Sequence, residues 1–189
     1  METLKQLFKA ISGCIVLMFI PVVAFTQNTV SIAAGPAVNL TFVKPDIAGN
    51  PLLAVTDESR WLNYNTTIEP SMQTYSIKVR LESPLPEGLQ LEIHAGTYMG
   101  NGGGSPDAPN NRGAKYANVS GGNYSEGVPA EKVAVTLIDQ VLVYGIGAFN
   151  TGSGAYVGRQ LTYTLSISDY SKVRAASAGV NVVYTITQP

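Results

Sequence analysis

Over much of the chain, apolar and polar residues alternate one for one. "TYSIKVRLE" (Thr74–Glu82) sets Tyr75, Ile77, Val79 and Leu81 on one side and Ser76, Lys78, Arg80 and Glu82 on the other. "LQLEIHA" repeats the pattern, with Leu89, Leu91 and Ile93 against Gln90, Glu92 and His94. "LTYTLSIS" aligns Leu161, Tyr163, Leu165 and Ile167, and "VNVVYTIT" aligns Val180, Val182, Tyr184 and Ile186. Successive side chains of a strand point to opposite faces, so a period of two builds strands with one dry and one wet face. Antiparallel sheets that cover a core on one side need this pattern. A helix needs a period near 3.6, which is almost absent. Only "DYSKVRAASAG" (Asp169–Gly179) suits a turn or two of helix.

Less regular segments fill in the rest. "AVNLTFV" (Ala37–Val43) alternates through Val38, Leu40 and Phe42, and "SRWLNYN" (Ser59–Asn65) reads as a short strand. "EKVAVTLID" and "QVLVYGIG" are rich in β-branched residues and read as two more, meeting near Asp139–Gln140. "SPLPEG" between two of the clear strands has the proline and glycine chemistry of a turn. The expected fold is all-β. It is a single antiparallel β-sandwich of seven to nine strands, immunoglobulin-like or fimbrial-like with Greek-key connections, and a closed barrel is the alternative.

Residues 1–26 read as a signal peptide and are set aside from the fold. Lys5 and Lys9 precede an apolar run from Ile11 to Val23, too short for the roughly 20 residues of a membrane span. Val22 and Ala24 mark a small-residue cleavage site. The expected domain is residues 27–189, exported to the periplasm, the cell surface or the medium. No second run of spanning length follows. "ISGC" (Ile11–Cys14) has the letters of a lipobox, but the apolar run follows the cysteine instead of preceding it. Cys14 is the one cysteine of the chain, so the exported form has no disulfide and relies on its core. A chain of about 150 residues buries about 70% of its unfolded surface, enough for one core.

Without residues 1–26 the chain keeps ten basic and twelve acidic side chains, a net charge of −2. No basic stripe is present to neutralise phosphates, which argues against a nucleic-acid partner. Catalytic chemistry finds little support. His94 is the sole histidine and falls on a wet strand face. No serine lies in a nucleophile elbow, and the glycines of "GIGAFNTG" precede a strand pattern where a dinucleotide loop needs a helix. Asp107 in "SPDAPNNRG" fits an Asx turn better than a calcium loop, because the surrounding acids are sparse. The reading is of a non-enzyme with no metal and no cofactor.

The segment 96–129 is the long exception to the strand pattern. It is rich in glycine and asparagine and expected to be a loop; loops of this length are often functional. Tyr98, Tyr116 and Tyr124, with Asn118 and Asn123, are candidate ligand contacts, since flat aromatic faces beside amides suit a sugar. A decorated connector whose tyrosines pack on the sheet edge is the alternative.

"LTYTLSISDYSKVRAASAGVNVVYTIT" (Leu161–Thr187) resembles the closing segment of bacterial fimbrial and spore-coat-U-like secreted domains. "WLNYNTT" and "LPEGLQLEIHAG" are similar to segments of uncharacterised secreted β-sandwich proteins. The resemblance implies a structural or adhesive secreted or cell-surface protein, fimbrial-like in assembly, and brings no catalytic residue. It also implies a candidate assembly strand, Val30, Ile32 and Ala34, donated to a neighbour's open sheet edge. The same segment equally suits the first strand of a self-complete sandwich. The expected partners are a second copy or a surface glycan or protein, and the alternative function is a carbohydrate-binding module using the Gly/Asn/Tyr loop.

Overall fold

The computed structural model describes residues 28–35, 37–43, 46–47, 49–66, 74–98, 125–174 and 178–188. The expected signal peptide lies outside them. The described residues form ten strands and no helix, and hence no helix able to cross a membrane. The strands are β1 (Thr29–Ala33), β2 (Val55–Thr66), β3 (Tyr75–Leu81), β4 (Leu89–Tyr98), β5 (Glu126–Pro129), β6 (Val133–Ala134), β7 (Gln140–Ile146), β8 (Phe149–Asn150), β9 (Arg159–Ile167) and β10 (Val182–Thr187). All pairings are antiparallel. One sheet runs β1-β2-β9-β4-β6, with β8 also on β2, and the other runs β10-β3-β7-β5.

Alternation maps onto burial. In β3, Tyr75, Ile77, Val79 and Leu81 are buried while Ser76, Lys78 and Arg80 are not. In β4, Leu91, Ile93 and Ala95 are buried between half-exposed Gln90, Glu92 and His94. Inward side chains of both sheets join one core cluster, including Leu62, Ile93 and Leu161 from the first and Ile77, Val79 and Leu142 from the second. That is the expected all-β, two-sheet arrangement, consistent with a β-sandwich. Each fully buried Leu or Ile in it contributes about 1.5–3 kcal/mol.

Polar links also cross between the sheets. The hydroxyls of Tyr163 on β9 and Tyr184 on β10 lie 2.7 Å apart. Burial raises the pKa of both above the usual tyrosine value, Tyr184 well above it. The "SPLPEG" turn forms as its residues suggest, ending on Gly88 at φ 81°.

Several strand bounds differ from the sequence reading. Ala37–Val43 keeps its alternation, with Val38, Leu40 and Phe42 half-buried, but forms no strand. Positive φ at Ala34 and Gly35 turns the chain out of β1, and the Arg60 guanidinium then holds the carbonyls of Ala34 and Ala37. Side-chain burial thus continues where the ladder has stopped. "EKVAVTLID" yields only the two-residue β6, because Leu137 and Ile138 turn outward ahead of β7. The strand count reaches ten because β5, β6 and β8 are pieces of two to four residues. The expected loop 96–129 is trimmed at both ends, since β4 runs to Tyr98 and Glu126–Pro129 pairs with β7. "DYSKVRAASAG" gives a turn over Asp169–Lys172 and no described helix.

Candidate functional site

Sheet register brings several chain connections to one end of the molecule. Leu62 of β2 and Tyr98 of β4 both pair with Arg159 of β9, while Glu126 of β5 and Tyr75 of β3 both pair with Ile146 of β7. Thr66, Tyr98, Glu126 and Ile146, each at a strand end, and the stretch 151–158 between β8 and β9 therefore gather at this end.

Arg159 joins its two sheets. Its side chain is 1% exposed. Nε donates to the Tyr64 hydroxyl at 3.0 Å, Nη1 to the Gly96 carbonyl at 2.9 Å, and Nη2 to the carbonyls of Glu126 at 3.0 Å and Gly127 at 2.7 Å. The Tyr64 hydroxyl in turn donates to the same Glu126 carbonyl at 2.5 Å. The half-exposed Glu126 carboxylate lies 3.8 Å from Nη2 and supplies a counter-charge. A buried cation is tolerated only when its donors are satisfied and its charge is answered, and both conditions hold. Gly96 and Glu126 flank residues 99–124, so one guanidinium ties together both stems of the long connection. Burial raises the pKa of Tyr64, and the adjacent Arg159 charge opposes that shift.

A second device lies beside it. β8 and β9 sit on the same side of β2, with Asn65 opposite Asn150 and Leu62 opposite Arg159. Two residues of β2, Asn63 and Tyr64, thus face an excursion of residues 151–158. Its return is held by side chains. The Tyr64 N–H donates to Thr151 Oγ1 at 2.9 Å, and Thr151 N donates to the Tyr64 carbonyl at 3.0 Å. Asn63, itself buried, donates from Nδ2 to the Val157 carbonyl at 2.6 Å and accepts from Gly154 N at 2.8 Å. Gly158 closes the excursion at φ 83°, where a Cβ would run into the Leu62 carbonyl. The excursion covers Trp61, whose ring meets Tyr156 edge-on at 5.5 Å.

Against this excursion lies an open depression of about 230 Å³. Its floor crosses three strands in register, Thr29 on β1, Asn65 on β2 and Asn150 on β8, with Ser31 and Asn63 one row below. Gly152 and Ser153 line it from the excursion.

Of the residues singled out from sequence, Tyr98 is half-buried and packs edge-on to Phe149 at 5.0 Å. Tyr116, Tyr124, Asn118 and Asn123 lie outside the described residues, as does Asp107. Val30 and Ile32 sit in β1, opposite Tyr64 and Leu62, and Ala34 follows the strand. His94 stands half-exposed on β4, opposite Thr162. Among the described residues, no group of three His, Cys, Asp or Glu side chains is placed to hold a metal. Sequence reading missed Arg159 and the excursion. For Arg159 a signal existed: it shares the inward parity of Leu161 and Tyr163.

No family model matches the chain. No curated protein and no solved structure matches it either.

Proposed function

We propose that the protein is a non-enzymatic, exported structural or adhesive protein whose contact surface is the end where Arg159 ties the stems of residues 99–124. The observation that carries this reading is the guanidinium itself. A buried cation spent on three main-chain carbonyls is costly to install, and its return is a fixed base for whatever the connection presents. Binding residues are often carried on loops held by a rigid scaffold. The resemblance of Leu161–Thr187 to secreted fimbrial-like domains supports the same class of role.

The test replaces residues 100–123 with a short Gly-Ser linker. The purified protein is coated on beads and presented to cells and to extracellular matrix. Wild type is expected to adhere, and the shortened chain to melt at a similar temperature and not adhere. Equal adhesion by both, or none by wild type, would falsify the reading.

Assembly through Val30, Ile32 and Ala34 is a second route to a structural role. It requires β1 to exchange its own β2 for a neighbour's strand, since residues 29–33 pair within the chain.

A further inference from the structure

We infer that the depression floored by Thr29, Asn65 and Asn150 is a binding site for a neutral sugar ring. The inference rests on the adhesive reading and names the ligand class for a site that reading leaves unassigned.

The chemistry of the lining points to this ligand. Among the described residues, every one that lines the depression is uncharged, and most carry an amide or a hydroxyl: Thr29, Ser31, Asn63, Asn65, Asn150 and Ser153. An ionic ligand would lose hydration there without an opposite charge to replace it. A ring bearing several hydroxyls, each donor and acceptor at once, matches amides and hydroxyls that also offer both. The volume of about 230 Å³ is below the roughly 300–1,000 Å³ of pockets for drug-sized ligands. It suits one sugar residue, such as the terminal unit of a chain, entering from the open side.

The lining is also held in place before any ligand arrives. Asn63 spends its amide on Val157 and Gly154, and Thr151 is bonded to both main-chain groups of Tyr64. Asn150 accepts from Gly152 N through Oδ1 at 2.8 Å, which fixes the amide and turns its Nδ2 to the other side. The Asn65 amide and the hydroxyls of Thr29, Ser31 and Ser153 take no part in these loop-holding bonds. Preorganised polar groups of this kind lower the ordering cost of binding. The excursion that supplies Ser153 lies between β8 and β9, which both pair with β2.

The experiment uses the exported form of the full chain and methyl glycosides of glucose, galactose, mannose and N-acetylglucosamine at millimolar concentration, read by saturation-transfer NMR. At least one glycoside is expected to show transfer. Asn65→Ala should weaken it about tenfold, the scale of one lost hydrogen bond, and Ser153→Trp should abolish it by filling the space. Thr29→Val and Ser31→Ala, which keep the strand, provide the same reading should the first two variants melt early. Methyl glucuronide should bind more weakly than its neutral counterpart. No transfer from any glycoside, or transfer unchanged in the folded variants, overturns the inference. Bead adhesion separates the two claims: a wild type that adheres but shows no transfer from any glycoside sinks this site alone, whereas a wild type that never adheres sinks the adhesive reading.

Discussion

Arg159 Nε and the Tyr64 hydroxyl lie 3.0 Å apart, one on β9 and the other on the neighbouring β2, and Arg159 Nη2 and the same hydroxyl both donate to the Glu126 carbonyl of the opposite sheet. This pair does at one end of the molecule what the Tyr163–Tyr184 hydroxyl pair does elsewhere between the sheets. The interior therefore has fixed polar rivets as well as apolar filling, and each one makes a measurable demand.

Arg159→Met keeps apolar volume and removes every donor. It removes the guanidinium from the carbonyls of Gly96 and Gly127 and leaves the Glu126 carbonyl with the Tyr64 hydroxyl. At about 1–3 kcal/mol for an orphaned buried group, with partial relaxation, urea denaturation should show a loss of roughly 3–5 kcal/mol. Arg159→Lys should recover only part of it, because an ammonium cannot reproduce the planar fork. Protease cleavage between Gly96 and Gly127 should accelerate in both variants.

Gly158→Ala asks an L residue to adopt φ 83° and puts a methyl against the Leu62 carbonyl. Strain of this kind costs about 1–3 kcal/mol. The melting temperature should fall, with the change in Trp61 fluorescence preceding the loss of far-ultraviolet circular dichroism.

Trp61 is the only tryptophan of the chain, so its emission reports the docking of residues 151–158. Tyr156→Ala removes the ring that meets it edge-on. A red-shifted emission maximum with little change in global stability is expected. An unshifted maximum would mean that Tyr156 does not shield the indole.

The tyrosine pair predicts alkaline sensitivity. Burial raises the folded-state pKa of Tyr163 and Tyr184 above the ordinary value of 10.0, so folding favours the protonated hydroxyls. That contribution is complete below pH 10 and is lost as pH rises from there through the raised folded-state values. Thermal melts should hold steady up to about pH 9 and then decline. The double variant Tyr163→Phe/Tyr184→Phe should lose about 1 kcal/mol at neutral pH and decline less steeply above pH 10.

Much of the architecture was readable from residue order alone. β3, β4, β9 and β10 follow from alternation, because one buried face per strand leaves a repeating trace in the sequence. The same rule overreached at Ala37–Val43, where side chains alternate in burial but the backbone has left the ladder after Ala34 and Gly35. Alternation reports burial and does not report hydrogen bonding. The depression was not readable, because it depends on cross-strand register. Thr29, Asn65 and Asn150 are far apart in sequence and meet only when β1, β2 and β8 align. Arg159 is legible by parity only, since an arginine beside "QLTYTLSI" looks like a strand boundary until its neighbours are known.

The detour at residues 151–158 rejoins the alignment it left, with Asn150 and Arg159 both still facing β2. Its length is thus uncoupled from the pairing of every other strand. Residues inserted or deleted between Gly152 and Tyr156 would reshape one patch of the surface and leave the rest of the sheet in phase, which makes this stretch a natural place to graft a new recognition surface.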